Sequence, residues 1–310
     1  MRPTIKLAYS DFWAGFSPEQ NLLTNLLRKH FNIQLSDSDP DLLIYSCYGF
    51  NFLNYKCHRI FYTAENVRPD FRECDHSLSF DYDEYEGKNT RVPLYLFTYL
   101  KYLTKGNELP IASTPKTKFC NMVVSNPKGQ ERNSFFEVLN QYKQVDSGGK
   151  YKNNTGGPVE DKLEFISQYR FTIAFENSSF PGYTTEKLVQ PMLVGSIPIY
   201  WGNPRIHEEF NTKSFINVHA YDSFEKVVSE ITLIEENPDI YNEMIKQPWL
   251  INNQPHENQD YELLGEKLNN IVNRILNEHP VAAQNALYSI SKKIRKKVIN
   301  KITKKPIWYI

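Results

Sequence analysis

The 310-residue sequence has no apolar run near the roughly 18 uninterrupted residues of a membrane span, and Asp11 interrupts the place of a signal-peptide core. A cytoplasmic chain is expected. Cysteine is scarce: Cys47, Cys57, Cys74 and Cys120 are scattered and form no CxxC pair, which excludes a disulfide scaffold and predicts reduced thiols. Cys57-His58 and Cys74-Asp75-His76 fit no common zinc spacing. There is no repeat of fixed period and no excess of one charge, since 36 Lys and Arg face 36 Asp and Glu. That balance excludes a protein that binds nucleic acid over its whole surface.

The zero net charge hides a polarity. Residues 281–310 hold eight basic residues and no acid, leaving 28 basic against 36 acidic residues in the first 280. Ile290, Ile294, Val298 and Ile302 recur every four residues in this basic tail, and Trp308-Tyr309 follows Pro306. Such a stripe, flanked by cations and ended by interfacial aromatics, predicts that residues 288–310 lie on an anionic inner-membrane surface.

The body alternates strands and helices, which predicts parallel sheets covered on both faces. Ile5–Tyr9 reads as a strand, and Leu22, Leu23, Leu26 and Leu27 as a helix running to about His30, with Ser17-Pro18-Glu19-Gln20 as its capping box. Leu42–Ser46 and Arg59–Thr63 are further strands. After a Pro- and Ser-containing linker, strands at Cys120–Ser125, Phe171–Phe175 and Ile197–Trp201 alternate with helices at Glu131–Tyr142, Glu160–Gln168 and Thr185–Val194. Domain boundaries follow: an acceptor-binding domain over 1–108, a linker over 109–118, a donor-binding domain over 119–280 and the basic tail over 281–310. A cleft between two such domains, beyond the carboxyl ends of their strands, is where ligands are expected.

Phe171–Pro204, FTIAFENSSFPGYTTEKLVQPMLVGSIPIYWGNP, carries the most chemistry. A strand runs into Glu176-Asn177, and a helix begins near Thr184 with Glu186 and Lys187 in its first turn. The unpaired N–H groups of a helix start suit a phosphate, and a lysine there is unfavourable unless an anion arrives. On the residue alone, plain solvation of Lys187 is the favoured reading.

The stretch resembles the donor-binding signature of the α-1,3-fucosyltransferases of glycosyltransferase family 10, especially the bacterial ones. FEN, GY-x-TEK and IPIYWG occur in that family's order, Phe61–Asn66 is similar to its FYTGEN element with Ala64 in place of glycine, and VVSNPKGQER and KSFINVH are also similar. The resemblance runs from about Ile5 to Asn217. It implies a GT-B fold of two Rossmann-like domains facing a central cleft. It further implies inverting transfer of L-fucose from GDP-β-L-fucose to the 3-hydroxyl of N-acetylglucosamine in Galβ1-4GlcNAc, a Lewis x-type product. By motif it makes Glu65 the general base and Arg132, Asn177, Tyr183, Glu186 and Lys187 donor contacts, with Ser125 lining the nucleotide pocket. No metal cofactor is implied.

These residue types suit that chemistry. One carboxylate must take the acceptor proton, and cations must meet the charge growing on the departing diphosphate. Asn177 and Glu186 are expected at fucose hydroxyls. Tyr183 has three readings open: sugar packing, a phosphate contact or loop packing. Asp37-x-Asp39, Asp39-x-Asp41 and Asp81-x-Asp83 read as solvated loops rather than metal-diphosphate clamps. Phe12 and Trp13 suit either a sugar platform or the core. A transferase for another nucleotide sugar, a non-catalytic carbohydrate binder and a nucleic-acid binder are the rival classes. Glu65 retained together with Arg132 and Lys187 argues against the second, and the third has no recognised module in the body.

Overall fold

The computed structural model describes residues 2–285 except 105, 107, 257 and 258, together with 287, 288, 290–292 and 294. The chain forms two compact units, one reaching Thr98 and joined by the described residues after 258, the other over Tyr99–His256.

In the first unit β1 (Thr4–Ser10), β2 (Asn32–Leu35), β3 (Leu42–Tyr45), β4 (His58–Tyr62), β5 (His76–Ser79) and β6 (Asn89–Arg91) form a parallel sheet ordered β2-β1-β3-β4-β5-β6. β3 and β4 are buried at every position, as expected for strands covered on both faces. β4 accommodates a buried arginine because Arg59 donates to the carbonyls of Glu73 and Tyr55 and lies over the Phe52 ring. Helix α1 (Leu22–His30) buries Leu22, Leu23, Leu26 and Leu27. Its N-cap is Asn21, not Ser17: the Asn21 side chain accepts from the Thr24 backbone N–H at 3.0 Å, while Ser17 closes a separate turn by accepting from Gln20. A short helix α2 (Leu94–Tyr99) follows β6.

In the second unit β7 (Lys118–Met122), β8 (Val145–Ser147), β9 (Tyr169–Phe175), β10 (Ile197–Trp201) and β11 (Ile216–Asn217) form a parallel sheet ordered β11-β10-β9-β7-β8. Helices α3 (Gln130–Tyr142), α4 (Lys162–Ser167), α5 (Glu186–Leu193), α6 (Phe224–Glu236) and α7 (Pro238–Lys246) complete it. Phe135 of α3 stacks on Phe175 of β9 at 5.0 Å within a core that includes Met122, Ile173, Ile199 and Val227. Residues 109–118 are not a free linker. Lys116 Nζ donates to the carbonyls of Ala112, Thr114, Ser167 and Val194 at 2.7–3.2 Å, tying this segment to the ends of α4 and α5.

The boundary at residue 280 is corrected too. Helix α8 (Tyr261–Leu276) belongs to the first unit. It buries Leu264, Leu268, Ile271, Val272 and Ile275, each such side chain worth about 1.5–3 kcal/mol. Gly265 comes close to Leu26 of α1, Gln259 Nε2 donates to Tyr95 Oη at 3.0 Å, and Arg274 reaches the Gly87 carbonyl and His76. A short helix α9 (Val281–Gln284) is held by Asp75, whose Oδ1 accepts from the Val281 N–H at 2.8 Å. Most of the basic tail, including Val298, Ile302, Trp308 and Tyr309, lies outside the described residues.

Candidate active site

The order of each sheet locates its ligand crevice. In the second unit β7 leads to β8 on one side, whereas β9, β10 and β11 build outward on the other. The chain therefore reverses direction at the adjacent pair β7 and β9, and ligands bind beyond the carboxyl ends of such strands. Ser125, Arg132, Asn177, Tyr183, Glu186 and Lys187 all follow one of these two strands.

Glu176, the first residue after β9, organises this edge. Its side chain is fully enclosed. Oε1 accepts from the Thr185 N–H at 2.7 Å, and Oε2 accepts from Thr185 Oγ1 at 2.7 Å and from Lys187 Nζ at 3.2 Å. It thereby closes the 177–184 loop and fixes the first turn of α5. Burial raises the Glu176 pKa against the opposing charge of Lys187. A Cβ on Gly202 would lie 2.4 Å from Glu176 Cγ, so the carboxylate requires the glycine of YWG. Asn203 completes the lacing: Oδ1 accepts from the Gly182 and Arg205 N–H groups at 2.8 and 2.9 Å, and Nδ2 donates to Thr184 Oγ1 at 3.3 Å. FEN and YWGN are thus two sides of one clasp.

Lys187 also lies 3.5 Å from Glu186 Oε1. Burial would raise the Glu186 pKa, but the charges of Lys187 and Lys162 outweigh it and hold the group below its ordinary value. Lys162, the first residue of α4, has its own pKa lowered by burial in the same neighbourhood. The sequence offered no sign of Lys162, whereas Glu176 carried one: an acid at the end of a buried apolar strand.

Arg132 sits in the first turn of α3, after β7. It is 1% exposed. Nη2 donates to the Asn126 carbonyl at 2.5 Å and to Asn133 Oδ1 at 3.3 Å, while Nε and Nη1 are buried without a partner among the described residues. The turn at 125–128, which includes Ser125, is exposed. Gly129 touches the guanidinium so closely that a Cβ there would lie 2.7 Å from Arg132 Cζ. Asn177 is exposed at the end of β9. Tyr183 is 1% exposed, and its carbonyl accepts from Tyr200 Oη at 3.3 Å. Of the three readings open for Tyr183, its burial supports packing.

In the first unit Glu65 follows β4 on the carboxyl edge. Thr63 Oγ1 accepts from the Glu65 N–H at 3.1 Å and donates to the Glu65 carbonyl at 2.7 Å, and Tyr48 Oη donates to Glu65 Oε1 at 3.1 Å. Beside them lies an aromatic cluster. Phe12 stacks on Phe16 at 3.9 Å and on Tyr62 at 5.9 Å, and Trp13 meets Tyr48 and Phe97 edge-on. Phe12 and Trp13 both pack within this cluster, and both stay half-exposed.

The Asp pairs are occupied internally. Asp39 pairs with Lys6 at 2.8 Å, Asp41 accepts from the Lys6 N–H, and Asp81 accepts from Tyr85 and pairs with Arg68 at 3.0 Å. Among the described residues no group of three or more His, Cys, Asp or Glu is placed to hold a metal ion. Burial pushes the Cys47 and Cys57 thiols up to about 11 and those of Cys74 and Cys120 higher.

Comparison with known proteins bears on the family and the fold. Residues 7–99 match the alpha-(1,3)-fucosyltransferase FucT N-terminal domain, and residues 113–275 match glycosyltransferase family 10 (fucosyltransferase) C-term. The alpha-(1,3)-fucosyltransferase FucT of Helicobacter pylori is 30% identical over 285 residues, covering 78% of this chain and 60% of that protein. Alpha-(1,3)-fucosyltransferase B of Drosophila melanogaster is 40% identical over 93 residues, 30% of this chain and 20% of that protein. The chain thus spans 60% or less of the length of these relatives. A crystal structure of an alpha1,3-fucosyltransferase with GDP-fucose superposes with a TM-score of 0.75 at 28% identity, over 90% of this chain and 92% of that one. The two parallel α/β units are of the GT-B type.

Proposed function

Because the chain belongs to glycosyltransferase family 10, the fucosyltransferases, we propose that it transfers L-fucose from GDP-β-L-fucose, with inversion, to the 3-hydroxyl of N-acetylglucosamine in Galβ1-4GlcNAc. The observation that carries this reading is the buried Arg132 guanidinium, whose Nε and Nη1 nitrogens have no hydrogen-bond partner among the described residues. A buried cation in that condition is costly until an anion meets it. It lies on the edge where Lys187 and the first turn of α5 also present positive charge. A diphosphate satisfies all three, and the charge that grows on it as the sugar–oxygen bond breaks is stabilised there.

Ser125 lines the nucleotide pocket in this reading, and Asn177 and Glu186 take fucose hydroxyls. Tyr183, being buried, supports the 177–184 loop by packing. Glu65 takes the acceptor proton as the sugar 3-oxygen attacks the anomeric carbon. The diphosphate is held by side-chain and backbone donors, so no divalent cation is required. The complexes of similar enzymes with GDP-fucose and with GDP support this donor. The test offers the purified protein GDP-fucose with Galβ1-4GlcNAc or Galβ1-3GlcNAc and identifies the linkage by NMR. Fucose on the 3-hydroxyl of the first acceptor, formed equally in excess EDTA, is expected. Absence of transfer to both acceptors, or transfer only with added Mn²⁺, would overturn the reading.

We also propose that the enzyme works in the cytoplasm on the inner face of the membrane, where lipid-linked glycan acceptors lie, held by residues 288–310. Among the described residues no helix is long and apolar enough to cross a membrane. At the root of the tail, Tyr288 Oη donates to Asp70 Oδ2 at 2.8 Å and Lys292 Nζ pairs with Glu73 at 2.5 Å. Ile290 and Ile294 remain 52% and 58% exposed. Lys292 is therefore spent on the protein, and the lipid-facing charge comes from the residues after it. Truncation after Lys292 keeps this anchor. It should leave transfer to soluble acceptors intact and abolish sedimentation with anionic liposomes at low salt. Failure of the full-length chain to sediment would remove the membrane role.

A further inference from the structure

A general base on a loop needs more than the right functional group. Its carboxylate turns about three side-chain bonds, and proton transfer requires one orientation within hydrogen-bond reach of the attacking hydroxyl. Thr63 pins the backbone of Glu65 from both sides. The carboxylate must be aimed as well.

We infer that Tyr48 is the positioning residue for this carboxylate, tying it to the half-exposed Trp13 face as one acceptor bed. Tyr48 Oη donates to Glu65 Oε1 at 3.1 Å, and the Trp13 ring stands edge-on to the Tyr48 ring at 6.2 Å and 78°. All three side chains are partly exposed, so a sugar can reach them. An aromatic face with a carboxylate beside it suits a pyranose, which offers an apolar face for stacking and a hydroxyl at its rim.

The placement of Tyr48 is itself built. Asp11, at a φ of 59°, accepts the Tyr48 N–H on its carbonyl at 3.0 Å. Its carboxylate accepts from the Asn51 and Phe52 N–H groups at 3.0 and 2.7 Å. A Cβ on Gly49 would lie 2.1 Å from Asp11 Oδ1, so the turn that delivers Tyr48 closes only with glycine. Asp11 thus joins the loop that carries Trp13 to the loop that carries Tyr48, and Tyr48 passes that order on to Glu65.

The inference rests on the reading of Glu65 as the base, and its test separates the two. Tyr48→Phe keeps the ring and loses only the hydroxyl. It should lower kcat about tenfold through loss of a hydrogen bond to a charged group, with the KM for GDP-fucose changed by less than about twofold. The thermal midpoint should stay put. In Glu65→Asp the shortened chain no longer reaches Tyr48, so adding Tyr48→Phe should lower single-turnover rates by less than about twofold more. An unimpaired Tyr48→Phe enzyme, or a full tenfold loss on top of Glu65→Asp, would overturn the positioning role. Glu65→Gln is run beside them. If it is inactive while Tyr48→Phe matches the unaltered enzyme, only this inference falls; if it is active, the base assignment falls and takes this inference with it.

Discussion

Glu65→Gln is expected to slow transfer by about 10²–10⁴ while leaving GDP affinity within about twofold. The carboxamide has nearly the same shape, and it can still accept from Tyr48 Oη, the contact seen at 3.1 Å. It cannot accept the acceptor proton at a useful rate. The attacking oxygen would then have to shed its proton to water, which loses the advantage of a positioned base. GDP is held by the second unit in this reading, so its affinity reports the donor site independently of Glu65. Calorimetry with GDP and a rate assay with Galβ1-4GlcNAc give the two numbers. More than half of the original rate in Glu65→Gln would take the residue out of the mechanism.

The second large effect is in donor binding. A charge-assisted hydrogen bond contributes on the order of 1.5–3 kcal/mol, so Arg132→Ala and Lys187→Ala should each weaken GDP-fucose binding by at least about tenfold. The two losses have different origins. Arg132 has two nitrogens, Nε and Nη1, without a partner among the described residues, and its removal deletes the donors they offer. Arg132→Lys should rescue little, because an ammonium lacks the planar fork. Lys187, by contrast, already neutralises Glu176 at 3.2 Å. Lys187→Ala exposes the donor to an enclosed carboxylate as well as removing a cation. Combining it with Glu176→Gln should therefore recover part of the lost affinity, although the glutamine keeps only part of the clasp on Thr185. Unchanged GDP and GDP-fucose affinity in both single variants would show that this edge is not the donor site.

The basic order of the molecule was legible in its residues. Apolar runs of strand length alternating with amphipathic segments determine parallel α/β units, since only burial on both faces makes such runs favourable. The edge proposed for the donor was legible as well, because the motifs from Phe171 to Pro204 are local: strand, loop and helix start follow one another within 34 residues. Glu65 could be picked out for the same reason, as the acid of a short element directly after a buried strand.

Other features exist only in three dimensions. Asn21 rather than Ser17 caps α1, because capping depends on which backbone turns extended at the helix start, and both residues offered the same chemistry. Helix α8 returns to the first unit because its apolar face finds α1, more than 200 residues earlier, and no local pattern encodes such a partner. Tyr183 had three readings open in the sequence, and its burial beside the clasp between FEN and YWGN supports packing. Glu176 and Tyr48 carry roles that depend wholly on neighbours brought in by folding: Thr185 and Lys187 for one, Glu65 and Asp11 for the other. Composition and periodicity report which faces a segment must bury. Which charge meets which, and at what distance, was decided by packing.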